Sequence, residues 1–166
     1  MKLRSLLLSV CTLALPVRAA LADAAEDAKA AQERLDRGRY LASVSGCNDC
    51  HTPGFPQKGG AVPEQDWLIG VPVGNVGPWG TSYPSNLRLL VSSMTEDAFV
   101  ARLRGGKFRP PMPGHVTRIM KEEDLKALYQ FIHSLGPKGD PIPVALPPGV
   151  KPTTPWINME PQAPKR

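Results

Sequence analysis

The sequence predicts an all-α domain, and three observations lead to this fold class. Residues 24–44, 93–104 and 121–135 are rich in residues that favour helices or carry apolar residues at helical spacing. No segment shows the alternation of apolar and polar residues that would predict a strand. Glycine and proline punctuate the remaining stretches, which indicates loops. The length of 166 residues is typical of one domain.

The first 22 residues are predicted to be a cleaved signal peptide. Lys2 and Arg4 precede an apolar run at residues 6–15, and the sequence Ala-Leu-Ala at residues 20–22 supplies the small residues that a signal peptidase requires. The run is shorter than the roughly 20 apolar residues that cross a bilayer, so an uncleaved anchor is the less favoured alternative. No later segment is long and apolar enough to span a membrane, and we expect the mature chain in the periplasm.

Removal of this leader changes what the charge and the cysteine content imply. The leader holds three basic residues and no acidic one, so the formal net charge falls from +5 to +2. That balance does not favour a nucleic-acid-binding protein, which needs a basic stripe or cluster. Cys11 leaves with the leader. Cys47 and Cys50 are then the only cysteines of the predicted mature chain, and they provide no disulfide framework.

The first helix is expected over residues 24–44, where Ala, Glu, Lys, Arg and Leu dominate and proline is absent, and it should end near Ser45-Gly46. Residues 52–84 are rich in glycine and proline and are expected to form an irregular loop. A structureless loop of this length is unusual in a compact domain unless something else organises it. A buried prosthetic group would do so.

The second helix is expected to begin at a capping box formed by Ser93 and Glu96, and to stop at Gly105-Gly106. Residues 109–114 then contain three prolines, which exclude a helix because proline lacks the backbone donor and restricts the residue before it. This loop should therefore be extended.

The last helix is expected to begin at Glu122, where three consecutive acidic residues suit the positive end of the helix dipole, and to end at Gly136-Pro137. Its apolar face consists of Leu125, Leu128, Ile132 and Leu135. Residues 137–166 form a proline-rich extension, expected to be an ordered strap or a loose tail. The apolar residues Trp156 and Ile157 leave partner docking as an alternative for it.

The residues Cys47-Asn48-Asp49-Cys50-His51 have the spacing C-x-x-C-H, which is the attachment motif of c-type haem. Two thiols three positions apart at a helix end can each bond one of two neighbouring vinyl groups of the porphyrin. The next histidine then lies under the iron and supplies the proximal imidazole. One covalently bound haem c with its iron is therefore predicted. Because such tethering happens outside the cytoplasm, the leader and the motif support each other.

Two other kinds of site are less compatible with this motif. A thioredoxin-like C-x-x-C requires a βαβ setting, which the sequence does not indicate. A structural zinc site requires a second pair of ligands, whereas His115 and His133 are isolated and no further cysteine is present in the mature chain.

The sixth position of the iron decides between electron transfer and ligand binding. Met112 is favoured there, because prolines on both sides hold it in a rigid loop. A neutral thioether favours ferrous iron, and two filled axial positions block oxygen, so little rearranges when an electron moves. The other candidates, which we expect in the core or at the surface, are Met94, Met120, Met159, His115 and His133.

The chain resembles the class I cytochrome c family, in particular the Gly-x-Tyr-Leu-Ala haem domains of bacterial dehydrogenase cytochrome subunits and of small standalone cytochromes. The matching stretches are residues 38–42, 47–52, 83–87, 94–100, 111–113 and 122–129. The resemblance implies three to four helices around one haem, with His51 and Met112 as axial ligands. It also implies that the first and last helices cross at Gly38, opposite Tyr129 or Phe131.

The chain departs from this family pattern in two ways. Lys121 stands where related sequences usually carry a Ser or Thr helix cap, so the start of the last helix is expected to fray. Only one C-x-x-C-H motif is present, so a multi-haem dehydrogenase subunit is not a match over the whole chain.

These observations together predict a signal peptide at 1–22, a cytochrome c domain at 23–136 and the extension at 137–166. The expected function is that of a periplasmic monohaem electron carrier between a redox protein donor and acceptor, such as a dehydrogenase, an oxidase or another cytochrome. No catalytic acid, base or nucleophile is indicated, so an enzyme is not predicted. The alternatives are an electron-transfer subunit of a larger periplasmic dehydrogenase, and a gas-binding or sensing haem protein.

Overall fold

The computed structural model describes residues 14–164, with side chains from Ala20 onward. Cys11 and most of the predicted signal peptide lie outside the described residues. The described helices are α1 (Ala14–Val44), α2 (Cys47–His51), α3 (Leu87–Ser92), α4 (Glu96–Gly105), α5 (Gly114–Ile119) and α6 (Glu122–Ser134). The strands are β1 (Gly74–Gly77), β2 (Gly80–Ser82) and β3 (Trp156–Asn158), and single 3-10 turns occur at Pro56–Lys58 and Glu64–Asp66. The described part of the chain contains no helix that is both long and apolar enough to cross a membrane.

Helix α1 ends at Val44 as expected, but it begins ten residues before the expected start, because the alanine-rich sequence before Ala24 continues to favour a helix. The chain divides into two compact units between Arg34 and Leu35. The first unit is the N-terminal part of α1, and its described side chains are almost all exposed. All other elements belong to the second unit, which begins at Leu35.

Within the second unit, the C-terminal part of α1 packs against α6 at Gly38. A Cβ atom at this position would overlap the carbonyl oxygen of Ala127 and lie 2.5 Å from Cβ of Phe131. The expected close approach of the first and last helices is therefore present, with Phe131 opposite Gly38. Arg37 adds an ion pair of 2.8 Å to Asp124 in the first turn of α6.

Helix α4 begins one residue after Thr95, whose hydroxyl accepts a hydrogen bond from the backbone N–H of Ala98 at 3.3 Å. The predicted cap at Ser93 is wrong, because Ser93 is the C-cap of the preceding helix α3 and its hydroxyl donates to the carbonyl of Leu90. Helix α6 begins at Glu122 as expected, and Lys121 precedes it without a side-chain cap.

The expected three to four helices become six in the described residues, since α2, α3 and α5 span only five or six residues each. Elements this short have no room for a helical repeat in the sequence. Helix α3 is nonetheless capped: the side chain of Asn86 accepts a hydrogen bond from the backbone N–H of Leu89 at 3.0 Å.

The described fold is mostly helical, but the prediction that it contains no strand is wrong. Strands β1 and β2 form an antiparallel hairpin, and β3 from the C-terminal extension pairs parallel to β1, in the order β2-β1-β3. Each strand has only three or four residues and the hairpin is rich in glycine, so no alternating pattern could appear in the sequence. The extension is therefore an ordered strap.

The long stretch between α2 and α3 is organised by Trp67 as well as by the sheet. The indole ring of Trp67 packs edge-on against Phe131 of α6 and Phe55, and its N–H donates to the carbonyl of Val62 at 2.8 Å. These side-chain contacts tie the loop to the core. The core residues that are buried together are Leu41, Ala42, Leu68, Val91, Phe99, Val100, Leu103, Leu125, Leu128, Phe131 and Ile132.

Arg88 of α3 joins three segments from a nearly buried position, with 6% of its surface exposed. Its guanidinium donates to the carbonyls of Leu135 and Gly136 just after α6, and to the carbonyl of Gln65 at 2.9 Å. Burial lowers the pKa of Arg88, and the nearby carboxylate of Asp66 opposes this effect. Arg88 thus satisfies two carbonyls just after α6 and holds the loop at residue 65 beside them.

Candidate functional site

Helix α2 presents the whole C-x-x-C-H motif in little more than one turn. Gly46 precedes it with φ of 73°, a left-handed conformation that separates α1 from α2 and that glycine adopts without strain. Cys47 is half-buried and Cys50 is exposed, and both thiols are free. Residues three apart lie on the same face of a helix, so both sulfurs lie on one side of α2.

His51 is held in one orientation by a backbone carbonyl. Its Nδ1 lies 2.7 Å from the oxygen of Ser85, and 8% of the residue surface is exposed. Since a carbonyl only accepts, Nδ1 carries the proton and Nε2 keeps its lone pair. Burial lowers the pKa of His51, which keeps the imidazole neutral, while the bond to Ser85 opposes this shift. A neutral imidazole oriented by its second nitrogen is the form that binds a metal.

The role of Ser85 could not be inferred from the residue type, because the atom that accepts the hydrogen bond from His51 is its backbone oxygen. The stretch at residues 83–87 did match a family pattern, which was the only signal available for it.

Hydrogen bonds from the loop around residues 68–70 hold α2 in place. The hydroxyl of Thr52 donates to the side-chain oxygen of Asn48 at 2.8 Å and accepts from the backbone N–H of Leu68 at 2.7 Å. Gly70 N–H donates to the carbonyl of His51 at 2.8 Å. The loop around residues 68–70 therefore supports the motif helix, which pre-organises the direction of the imidazole.

The predicted site residues meet at one cavity of about 580 Å³. Its size is within the range of small-molecule and cofactor sites. Cys47, Cys50, His51 and Met112 all line it. The apolar part of the wall comes from α3 to α6 and the adjoining loops, and includes Leu87, Leu90, Phe99, Leu103, Phe108, Val116, Leu128 and Ile132.

Met112 lines the cavity from the proline-rich loop, but the prediction that this loop is extended is wrong, because a hydrogen-bonded turn closes over residues 109–112. Its N–H donates to the carbonyl of Arg109 at 3.2 Å, and its own carbonyl accepts from Gly114 N–H at 2.9 Å, just where α5 begins. Thr117 of α5 donates to the carbonyl of Leu103 at 2.8 Å, which ties α5 to the end of α4. The loop thus runs between two anchored helices.

Of the other candidate axial ligands, only Met120 lines the cavity. It also packs against the buried core. Met94 packs against the core away from the cavity, and Met159 is exposed. His115 and His133 are exposed and do not line the cavity; His133 stacks on the ring of Tyr129.

The polar surroundings of the cavity are cationic. Arg102, Lys107 and Arg109 line it, and no acidic side chain is among the described lining residues.

Burial raises the pKa of the Cys47 thiol to about 11. Burial and the adjacent Asp49 carboxylate raise the pKa of Cys50 as well. Both thiols are therefore protonated at neutral pH.

The described residues contain no cluster of three or more His, Cys, Asp and Glu side chains that could hold a bare metal ion. The donor set of the cavity is instead one neutral imidazole, two thioether sulfurs and two thiols beside an apolar wall. This chemistry fits an iron porphyrin bound through two thioether bonds and axial nitrogen and sulfur ligands.

No family model matches this chain, and no solved structure matches it. Two curated proteins are similar. The cytochrome subunit of fructose dehydrogenase from Gluconobacter japonicus is 29% identical over 111 residues, which cover 63% of this chain and 22% of the relative. The cytochrome c subunit of gluconate 2-dehydrogenase from Pantoea cypripedii is 30% identical over 122 residues, which cover 67% of this chain and 25% of the relative.

The chain thus spans about a quarter of the length of these relatives. Over about two thirds of its own length, it is similar to the cytochrome c subunits of dehydrogenases.

Proposed function

We propose that this protein is a monohaem c-type cytochrome of class I that carries single electrons in the periplasm. The observation that carries the proposal is the meeting of Cys47, Cys50, His51 and Met112 at one apolar cavity, with the proton of His51 held on Nδ1. The similarity to dehydrogenase cytochrome subunits supports electron transfer as the activity. The predicted leader at residues 1–22 supports the location, and residues 23–136 would form the haem domain.

Each residue of the site has a separate task in this proposal. Cys47 and Cys50 would bind the porphyrin covalently, and His51 would be the proximal iron ligand with Ser85 holding its ring. Met112 would occupy the sixth position. Bound haem supplies an iron that changes between the ferric and ferrous states. The apolar wall excludes water from the site, and the anchored loops limit the movement of the ligands, so little reorganisation accompanies a change of charge.

Spectra of the purified protein and of matched variants test this proposal. Haem should remain on the polypeptide after extraction with acidified acetone, and a C47A/C50A variant should release it. The ferric protein should show the weak long-wavelength band of an iron–thioether bond, and M112A should abolish that band. M120A is the control, because Met120 lines the same cavity.

Two results would contradict the proposal. Loss of the band in M120A with retention in M112A would assign the sixth position to Met120. Ready binding of carbon monoxide to the reduced wild-type protein would indicate an open sixth position and a gas-binding function.

The similarity to cytochrome subunits of dehydrogenases favours a second candidate, an electron-transfer subunit of a periplasmic dehydrogenase complex. In that case an oxidoreductase should co-purify with the tagged protein from its native host, and the purified cytochrome should accept electrons from that enzyme directly. A carrier that exchanges partners would instead be recovered alone.

A further inference from the structure

The C-terminal extension forms one wall of the cavity. Pro143, Val144 and Ala145 line it, although they lie more than thirty residues after Met112 in the chain. The next residue, Leu146, pairs with Thr81 of β2 through two backbone hydrogen bonds of 3.0 Å each. The segment at residues 143–146 is therefore fixed beside β2, at the cavity.

The same point of β2 also holds the loop that carries Met112. The hydroxyl of Ser82, next to Thr81, donates to the carbonyl of Pro110 at 2.5 Å. Arg109 completes the connection, because its Nη1 donates to the carbonyl of Leu146 at 2.8 Å. The Leu146 oxygen thus accepts from both Thr81 and Arg109, which uses both of its lone pairs.

The extension is anchored on either side of this contact. The amide of Asn86 donates to the carbonyl of Lys138 at 2.8 Å. Further along, β3 pairs with β1, and the hydroxyls of Tyr83 and Thr154 lie 3.0 Å apart. Because both flanks are held, the carbonyl of Leu146 is a fixed acceptor, and the bond from Arg109 restrains the Met112 loop more than it restrains the extension.

We propose that Arg109 is a positioning residue that acts through residues 143–146 of the extension to hold Met112 in the cavity. Arg109 accepts the N–H of Met112 on its own carbonyl and donates to the extension through its side chain, so it links the two directly. The extension then both closes the cavity wall and fixes the loop of the sixth ligand. This inference rests on the proposed haem function and adds a role for the extension within it.

Arg102 provides a matched control for the test. Arg102 and Arg109 are both exposed arginines that line the cavity, so neutralising either one removes one positive charge from its rim. Only Arg109 bonds to the extension. A difference between R109Q and R102Q therefore reports the bond and not the charge.

The test compares the holoproteins by their ferric thioether band and by the binding of carbon monoxide to the reduced form. Loss of one charge-assisted hydrogen bond at an exposed site should raise the fraction that binds carbon monoxide at low concentration about tenfold in R109Q. R102Q, which removes a rim charge without removing a bond to the extension, should change both measurements less than R109Q does. R109K, which keeps one donor, should fall between R109Q and the wild type.

A chain that ends at Asp140 lacks the acceptor altogether. It should show a weakened thioether band, and adding R109Q to it should change the spectrum no further, because the bond is already absent. If the shortened chain fails to fold, the comparison of R109Q with R102Q alone decides.

Equal effects of R109Q and R102Q would overturn the inference, since Arg109 would then act only through its charge. An unchanged band and unchanged carbon monoxide binding in R109Q would overturn it as well. A wild-type protein without bound haem or without the band would refute the proposed function itself, so the two failures are distinguishable.

Discussion

Replacing Arg88 with methionine should lower the free energy of unfolding of the protein. The guanidinium is 6% exposed and donates to the carbonyls of Gln65, Leu135 and Gly136. R88M fills a similar volume but leaves the carbonyls of Leu135 and Gly136 without a donor, whereas the carbonyl of Gln65 keeps its bond from Nζ of Lys138 at 3.0 Å. Each unpaired buried acceptor costs about 1–3 kcal/mol.

The lower end of that range applies, because Leu135 and Gly136 are partly exposed and water reaches them. The free energy of unfolding should therefore fall by about 2 kcal/mol in R88M. For a chain of this length, the melting temperature should fall by about 4–8 °C. R88K keeps the charge but not the fork of donors, so its loss should be smaller.

Thermal and urea unfolding of the holoproteins, followed by far-ultraviolet circular dichroism, measures this loss. R102M is the control, because the Arg102 side chain is exposed and makes no hydrogen bond or ion pair with another described residue. Its stability should stay within about 0.5 kcal/mol of the wild type. If R88M is as stable as R102M, the three carbonyl contacts do not stabilise the fold and the reasoning is wrong.

Three further changes test other parts of the structure. G38A should lower the free energy of unfolding by about 2 kcal/mol in urea titrations, because overpacking against α6 exceeds the gain in helix propensity. The control is G105A, which should not lower the free energy of unfolding, because a Cβ atom there meets nothing within 4 Å. T95A should lower the free energy of unfolding by about 1 kcal/mol, because it removes the cap of α4, and S93A should lower it less. Equal losses in the two variants would contradict the assignment of Thr95 as the cap. In the haem-free folded chain, burial holds the pKa of His51 below its ordinary 6.5, so the unfolded chain binds a proton that the folded chain does not. The urea midpoint should therefore fall as the pH drops below about 6.5, and it should fall less steeply in H51Q.

The elements that the sequence predicted well are those with a strong local signal. The last helix begins at Glu122 as expected, because three acidic residues and a regular apolar face mark it without help from the rest of the fold. The motif at residues 47–51 and the proline-bounded Met112 are also local patterns, and the structure brings them to one cavity.

The parts that could not be predicted depend on partners distant in the chain. The carbonyl of Ser85 that orients His51 is a backbone atom and is invisible to residue type. Strand β3 exists only because β1 offers it a hydrogen-bonding edge, and three residues carry no pattern of their own. Thr95 and Ser93 are both acceptable caps locally, and the end of α3 at Ser92 decided between them.

The parallel pairing of β3 with β1 has a consequence for the order in which the protein assembles. Asn75 meets Ile157 near the end of the chain, so this contact closes a very long loop and is entropically costly to form early. The motif at residues 47–51 is synthesised long before β3, which is therefore among the last elements to find its place. We therefore expect the side of the cavity that residues 143–145 line to be open until then, which would let a large planar molecule approach the two cysteines without displacing a folded segment.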